Sequence, residues 1–389
     1  MYGPPAMTHD AHLRTPAGRP RARALGIPFD GIPGEHNAIT DVPGVEVGYA
    51  TLVAGDGPLA VGRGPVRTGV TAIHPRGRAD PGTPCAAGFS SLNGNGEMTG
   101  TVWIEEAGAL SLPVTITNTH AVGIAQEATI AWTAERHPQL TDVWALPVAA
   151  ETWDGYLNDI NGRHVTSDVV FAALDGARGG PIEEGSVGGG TGMNCYHFKG
   201  GSGSASRLVE HGSDGYSVGV FVQANFGARK ELVVAGVPVG RELLDDDPMA
   251  DPSWLAPAGA GSVIAIVATD APLLPGQCKA LARRVPLGLA RTGTTGSHFS
   301  GDIFLAFSTA NHGELTMGLG GAEGGYGSLR FVPWTGLDPF FEAVVHATEE
   351  AVLNALSAAE EMTGVAGRRS PGLPHERVID LLRARGVTG

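Results

Sequence analysis

A serine at the start of an apolar run is the first residue whose position suggests chemistry. Ser262 follows Gly261 and opens the run 262–268, whose β-branched residues and bounding Thr269 predict a buried strand. A serine hydroxyl here can attack the carbonyl group before it, because glycine has no side chain to block the approach. Hydrolysis of the resulting ester would leave Ser262 with a free α-amine, of ordinary pKa about 7.7 to 8.0, as base for its own hydroxyl. On this motif alone, an ordinary loop-to-strand junction is the alternative.

Three further polar side chains stand beside predicted strands. Ser300 and Asp302 come directly before the predicted strand 303–307, and residues two apart at a strand entrance point to the same side. They could therefore face one pocket, and the alternative is a polar cap before a strand. Asn225 follows the predicted strand 217–222. Its amide could donate to a developing oxyanion or belong to a turn.

A carboxylate follows another apolar run. Glu151 opens the sequence Glu-Thr-Trp-Asp-Gly at 151–155, just past the run 144–150. A carboxylate in that place could pair with the ammonium group of a substrate. Each of these signals is weak alone, and together they supply the groups of an acyl-transfer site that recognises a free amine.

The elements that must position these residues alternate between apolar runs and helical stretches. The runs 69–75 and 165–174 are interpreted as strands, and 121–136 as a helix, which predicts mixed α/β layers. A later helix is predicted from an N-cap at Asp338 to a stop at Gly364, and it should lie across a sheet.

Only the ends and one internal segment lack such order. Residues 1–25 mix Pro, Gly, Arg and His without a period and predict a flexible N-terminal tail. Segment 245–261 is rich in Asp, Pro and small residues and predicts an exposed linker that leads into Ser262. The remainder, 26–389, is predicted to form one catalytic domain.

Charge and composition narrow the classes of partner. The 389 residues include 40 acidic and 26 basic ones, for a formal net charge of -14. This balance argues against nucleic acid, which normally needs a basic patch, and suits attraction of a cationic amine. No run approaches the roughly 20 apolar residues of a membrane helix, and residues 1–20 lack the apolar core of a secretory signal. We therefore expect no membrane partner and a cytoplasmic location.

The cysteines suggest neither a disulfide framework nor a metal site. Cys85, Cys195 and Cys278 are odd in number and form no CxxC pair. Cys195 has no supporting base in the sequence, and His120 and His298 are interpreted as structural histidines. No metal or other cofactor is predicted.

A series of ordered segments carries a resemblance to a known family. They include Ser186-Val-Gly-Gly-Gly-Thr-Gly-Met193 and the segments 41–45, 118–120, 198–201, 222–226, 261–264, 268–273, 291–293 and 300–304. Together they resemble the β-peptidyl aminopeptidase family, which includes the L-aminopeptidase/D-esterase enzymes. The resemblance extends from Gly26 to Thr363.

The resemblance implies both a fold and a processing event. The fold is a four-layer α/β/β/α sandwich like that of N-terminal-nucleophile hydrolases, with the chain connectivity of the ornithine acetyltransferases. The processing is self-cleavage between Gly261 and Ser262. The products would be a large subunit, 1–261, and a small subunit, 262–389, associated as a tetramer of processed heterodimers.

Site roles carry over position by position. Ser262 becomes the nucleophile, and Asn225 the oxyanion donor. Ser300 and Asp302 orient or relay protons around the amine of Ser262. Glu151 resembles the carboxylate that recognises the free amino group of the substrate. The implied activity is a serine aminopeptidase that removes N-terminal β-, L- or D-aminoacyl residues from small peptides, amides or esters through an acyl-enzyme.

Two positions depart from the family pattern. Trp153 stands where a tyrosine is expected, and its indole donates only from Nε1. Asn225 and a backbone N–H would then carry more of the oxyanion contact, or nearby Tyr156 would be the donor if the alignment is shifted by one residue. Asp302 stands where some relatives have Glu, which shortens the reach of the carboxylate.

Three other hypotheses compete. Segment 186–192 suggests a phosphate cradle, but it lacks both the Gly-Lys-Ser/Thr ending of a P-loop and the dinucleotide fingerprint. An acyltransferase resembling ornithine acetyltransferase shares the fold but uses a threonine nucleophile, so Ser262 argues against it. An uncleaved, non-catalytic scaffold is disfavoured because the groups at 262, 300 and 302 are all present.

Overall fold

A computed structural model describes residues 8–142, 144–251, 261–315 and 326–387. Two β-sheets stack face to face, and helices cover the outer face of each sheet. The predicted α/β/β/α layers are therefore confirmed. In chain order the strands are β1 (Glu46–Ala54), β2 (Val66–His74), β3 (Cys85–Gly94), β4 (Ala109–Leu110), β5 (Val114–Asn118), β6 (Val148–Thr152), β7 (Asn194–Cys195), β8 (Phe198–Lys199), β9 (Gly201–His211), β10 (Asp214–Asn225), β11 (Gly261–Thr269), β12 (Ser300–Ser308), β13 (Met362–Thr363) and β14 (Arg369–Ser370).

The two sheets have different sizes. The first has the order β1-β2-β5-β6, and the second has the order β4-β3-β12-β11-β10-β9. Only the pairs β5–β6 and β11–β12 run parallel within them. Two short hairpins, β7–β8 and β13–β14, lie outside both sheets.

Helices form the two outer layers. The helices of the described residues are α1 (Thr8–Leu13), α2 (Thr101–Ala107), α3 (Val122–Arg136), α4 (Ser167–Asp175), α5 (Pro275–Ala282), α6 (Val285–Arg291), α7 (Asp338–Ala358) and α8 (His375–Ala384). Helices α3 and α4 cover the first sheet, while α5 and α7 cover the second, with α6 packed on α7. Within the described ranges, no helix is both long enough and apolar enough to cross a membrane.

Strand β11 shows why the sequence folds this way. Val263, Ala265 and Val267 pack beneath the helices of the second sheet, whereas Ile264 and Ile266 face the first sheet. Successive side chains of a strand alternate between its faces, so a strand covered on both faces reads as one apolar run. The predicted strand is confirmed, and the same alternation turns the side chain at 262 toward the first sheet.

Two predicted elements differ from the structure. The run 165–174 lies largely in helix α4 and is not a strand, because Val170, Ala173 and Leu174 recur at helical spacing and pack on the first sheet. The later helix lies across β9 and β10 as predicted, but it ends at Ala358, short of Gly364. The next residue is extended, and the chain then enters β13.

The prediction of a flexible N-terminal tail is wrong for the described residues around Arg21. Arg21 is 3% exposed and donates to both carboxylate oxygens of Glu184, at 2.7 and 3.1 Å. The backbone N–H of Ala22 donates to Asn354 on α7 at 2.9 Å. Buried charge pairing therefore fixes this segment to the domain, while residues 1–7 lie outside the described residues.

The linker prediction can be followed only at its start. Asp245 pairs with Arg377 and Asp246 with Arg369, so both carboxylates meet residues that follow the predicted cut. Residues 252–260 lie outside the described residues.

Candidate active site

Ser262 lies near the start of β11, which is the middle one of three adjacent strands in the second sheet. Its register partner on antiparallel β10 is Asn225, and its partner on parallel β12 is Gly301, which separates Ser300 from Asp302. Neighbouring strands lie about 4.8 Å apart. The fold therefore brings together the four positions that the sequence singled out separately, although Asn225, Ser300 and Asp302 lie within strands and not beside them.

The Ser262 hydroxyl contacts the carbonyl group that it is predicted to attack. Its Oγ donates to the Gly261 carbonyl oxygen at 2.6 Å, and Ser262 is 3% exposed. A side chain at 261 would collide with the carbonyl oxygen of Asn225. The neighbouring strand therefore requires glycine at 261. The missing side chain also leaves the Gly261 carbonyl group open to attack.

Ser300 and Asp302 form a buried pair, as their spacing predicted. The Ser300 hydroxyl donates to Asp302 Oδ1 at 2.5 Å, and Asn93 Nδ2 donates to Oδ2 at 2.9 Å. The backbone N–H of Val263 also bonds to this carboxylate. Burial raises the pKa of Asp302 above its ordinary value, and these hydrogen bonds oppose the rise. The carboxylate is therefore fixed beside the start of β11.

Sequence reasoning missed Asn93. An irregularity in the β3–β12 pairing shifts the register between Asp302 and Ile303 and sets Asn93 opposite Asp302. A β-bulge re-aims side chains in this way. Nothing in the local sequence marks the bulge, so no available signal could have found this residue.

The Asn225 amide is held at both of its ends. Its Oδ1 accepts the backbone N–H of Asn194 at 2.8 Å, and its Nδ2 donates to the Trp153 carbonyl oxygen at 2.9 Å. An amide nitrogen carries two hydrogens. Because directly opposed residues of an antiparallel pair share a face, the amide and the Ser262 side chain project from the same side of the sheet.

The two candidate aromatic residues lie in different surroundings. Trp153 meets Asn225 through its backbone carbonyl, and its half-buried ring lies against Gly155. The Tyr156 hydroxyl donates to the Arg369 carbonyl oxygen on β14 at 3.3 Å. The structure therefore brings Trp153 to the Asn225 amide and directs Tyr156 to the β13–β14 hairpin.

Glu151 lies in β6 and is 1% exposed. Its Oε1 accepts the backbone N–H of Glu97 at 2.9 Å, and its Oε2 accepts the hydroxyl of Thr119. Burial raises the pKa of Glu151 above its ordinary value, and both hydrogen bonds oppose this. A Cβ atom added at Gly96 would meet both Oε1 of this carboxylate and Gly301 of β12, so Glu151 lies close to the register partner of Ser262. Sequence reasoning missed the role of Thr119, although this residue lies in segment 118–120, which contributes to the family resemblance.

Two histidines and three cysteines were also considered from the sequence. His120 bonds to Asn161 at 2.9 Å and lines a cavity of about 610 Å³ together with His164, and Ser262 does not line that cavity. The His298 ring packs edge-on against Phe299. All three cysteines are free and buried, and burial raises the thiol pKa of Cys195. The buried thiols agree with the structural interpretation of the cysteines, whereas His120 and His298 are exposed and their structural role stays a prediction.

Comparison with known proteins identifies the family. Residues 37–370 match Peptidase family S58. The chain belongs to this family. As a member of family S58 it is a peptidase, and the resemblance seen in the sequence segments is confirmed.

Similar proteins cover nearly the whole S58 chain. It is 50% identical over 373 residues to the beta-peptidyl aminopeptidase BapA of Sphingosinicella microcystinivorans, covering 94% of this chain and 92% of that protein. The solved L-aminopeptidase D-Ala-esterase/amidase of Ochrobactrum anthropi is 46% identical with a TM-score of 0.88, covering 95% of this chain and 100% of that one. A Burkholderia sp. beta-aminopeptidase is 45% identical with a TM-score of 0.86, covering 94% of this chain and 99% of that one.

These similarities fix the fold and the general activity. The Ochrobactrum structure is described as a variant of the N-terminal-nucleophile hydrolase fold among the serine aminopeptidases. The S58 chain has this fold and is a serine aminopeptidase.

Proposed function

We propose that this serine aminopeptidase activates itself by cutting the Gly261–Ser262 bond and then uses Ser262 as an N-terminal nucleophile. The observation that carries the proposal is the 2.6 Å hydrogen bond from the Ser262 hydroxyl to the Gly261 carbonyl oxygen. It sets the nucleophilic oxygen against the carbonyl group of the bond to be cut. The flanking partners Asn225 and Gly301 place the other candidate groups one strand away.

Self-cleavage proceeds through an ester. Ser262 Oγ bonds to the carbonyl carbon of Gly261 and gives up its proton, while the carbon–nitrogen bond breaks and the nitrogen becomes the α-amine of Ser262. Water then adds to the ester carbon, releases a carboxylate at Gly261 and returns a proton to Oγ. We assign the relay of these protons to the buried Ser300–Asp302 pair, whose carboxylate bonds to the backbone N–H of the next residue, Val263.

Turnover repeats the same attack and ester hydrolysis on the carbonyl group of a separate substrate molecule. The free α-amine of Ser262 accepts the hydroxyl proton as Oγ attacks the substrate carbonyl, and Asn225 Nδ2 donates to the oxyanion. The resulting ammonium gives its proton to the leaving amine. Water hydrolyses the acyl-enzyme and releases the acid.

Glu151 supplies the selectivity for a free amino terminus. Its buried carboxylate and the Cα of Gly301 would both meet a Cβ atom added at Gly96, at 3.0 and 3.2 Å, so the carboxylate lies near the register partner of Ser262. An ammonium group there would form a charge-assisted hydrogen bond with it. We infer β-aminoacyl substrates as the preferred class, because the Sphingosinicella and Burkholderia relatives carry that specificity in their names. Because the Ochrobactrum relative is named for L-aminopeptidase and D-Ala-esterase/amidase activity, L-aminoacyl substrates and D-alanyl esters or amides are the next classes to test.

A slow aminoacyl ester tests the catalytic part of this proposal. Purified protein mixed with a β-aminoacyl ester should gain the mass of one acyl group, and peptide mapping should place it on Ser262. The substrate series should then include matched L- and D-aminoacyl esters. An acyl group on any other residue would refute the assignment of Ser262.

Assembly and location complete the proposal. We infer a tetramer of processed heterodimers on the family resemblance, and we propose a cytoplasmic location. Native mass spectrometry should find four copies of each subunit, and a stable single heterodimer would contradict that assembly.

A further inference from the structure

The oxygen end of the Asn225 amide is held by a peptide group outside both sheets. The backbone N–H of Asn194, in the β7–β8 hairpin, donates to Asn225 Oδ1 at 2.8 Å. If the amide turned over, Oδ1 would face the place where a donor is needed. The Met193–Asn194 peptide, together with the Trp153 carbonyl oxygen that accepts from Nδ2, therefore keeps the donor end of Asn225 available to an oxyanion.

The other end of that peptide group receives a buried ammonium. Lys199 Nζ donates to the Met193 carbonyl oxygen at 2.8 Å, to Gly200 at 2.8 Å and to Gly190 at 3.4 Å. Lys199 is fully buried, and burial lowers its pKa to about 7. Burying a cation is costly, so an apolar side chain would be the cheaper choice if filling space were its only task.

A continuous chain of hydrogen bonds results. It runs from the Lys199 ammonium to the Met193 carbonyl, through the same peptide to the Asn194 N–H, and then to Asn225 Oδ1. Hydrogen bonds in such a chain polarise one another. Each step draws electron density toward the ammonium, which makes the Nδ2 hydrogens of Asn225 better donors.

The hairpin that carries this peptide is held in an uncommon conformation. Its two turn residues, Tyr196 and His197, have φ of 54° and 58°. Left-handed φ at both central positions usually selects Asn and Gly, because bulkier side chains are strained there. Such strain persists only where surrounding contacts impose it.

Arg229 supplies much of that constraint. It is 2% exposed and donates to the carbonyl oxygens of Tyr196, His197 and Leu243 at 3.1, 2.5 and 2.9 Å. Its guanidinium carbon also lies 3.4 Å from the ring centroid of Phe198. The hairpin is therefore rigidly seated between β10 and the rest of the domain.

We propose that Lys199, through the Met193–Asn194 peptide, positions and polarises the Asn225 amide and so sets the strength of oxyanion stabilisation. This inference rests on the proposed role of Asn225 as oxyanion donor. Lys199 is a positioning residue, because it reaches the reacting atoms only through other groups.

A double-mutant cycle tests the inference on the processed enzyme. Removing a whole oxyanion donor costs about 100- to 1,000-fold in rate, so Lys199→Met should lower kcat by a smaller factor, on the order of 10-fold, with little change in KM. In an Asn225→Ala background, Lys199→Met should change kcat by less than about twofold, because the amide it acts on is gone. Lys279→Met is the matched control, since that exposed lysine pairs only with Glu105 among the described residues.

The outcomes separate the two claims. The inference would be overturned if the decrease in kcat of the double variant equalled the product of the decreases in the two single variants. It would also be overturned if Lys199→Met had the same kcat as Lys279→Met. Full activity of Asn225→Ala would show that the failure lies in the proposed role of Asn225 itself. If Lys199→Met is not recovered as a folded, processed enzyme, Arg229→Lys enters the same cycle. It keeps the charge but lacks the planar fork that spans three carbonyls, and the same non-additivity is expected.

Discussion

Ser262 lies directly opposite Asn225 on the neighbouring antiparallel strand, and both side chains face the first sheet. The strand pairing alone fixes this relationship, so the proposed nucleophile and the proposed oxyanion donor need no flexible loop to meet. Catalytic groups held on rigid elements keep their geometry better than groups on loops.

The oxyanion role can be measured directly. Asn225→Ala should remain folded and lower kcat by about 100- to 1,000-fold, the usual cost of losing one such donor. Steady-state kinetics and a melting curve on processed protein check this. Asn311→Ala, a change at a half-buried site that bonds to Arg330, is the control and should keep the wild-type rate. A wild-type rate for Asn225→Ala would remove it from the mechanism.

Substrate recognition should depend on one carboxylate. Glu151→Gln should lower kcat/KM for an aminoacyl amide by about 10- to 150-fold, the value of a hydrogen bond to a charged group. An ester without an amine should be hydrolysed almost unchanged. Glu97→Gln is the control, because it keeps the backbone N–H that bonds to Glu151 and removes only a neighbouring charge. Equal losses for both substrates would contradict the recognition role.

The same carboxylate predicts a pH effect. Burial raises the pKa of Glu151, so as pH falls it takes up a proton before an ordinary glutamate would, and a neutral acid no longer pairs with ammonium. The ratio of kcat/KM for an aminoacyl ester to that for an amine-free ester should therefore fall in this acid range. Both substrates share the titration of the Ser262 amine, so the ratio isolates Glu151. A ratio equally pH-dependent in Glu151→Gln would be inconsistent with this cause.

The glycine before Ser262 should control the proposed processing. Gly261→Ala would collide with the carbonyl oxygen of Asn225 and shift the carbonyl to be attacked. Because a displacement of about 1 Å can cost on the order of 100-fold in rate, processing should slow by roughly that factor. The time course of the two fragments on a gel measures it. Gly215→Ala, which meets no neighbouring atom, should be processed normally. Unchanged cleavage of Gly261→Ala would argue against the strand-imposed geometry.

The sequence predicted the parts of the site that depend on local pattern. Ser262 opens an apolar strand, and Ser300 and Asp302 stand two apart, so strand periodicity alone brought them into consideration. The supporting contacts depend on distant pairings. Asn93 reaches Asp302 through a shifted register, and Thr119 reaches Glu151 because β5 runs beside β6.

The errors have a similar origin. Segment 1–25 has no period and resembles a tail, but Arg21 finds its partner Glu184 163 residues later. No local rule reveals such a long-range buried ion pair. The run 165–174 was wrongly interpreted as a strand, because a short apolar run is compatible with either a buried strand or a helix.

Intact mass spectrometry of freshly purified protein tests the central claim most directly. The account predicts two polypeptides that meet between Gly261 and Ser262, and a single uncut chain for Ser262→Ala. An uncut wild-type chain that is fully active, or a Ser262→Ala variant that is cut and active, would contradict it.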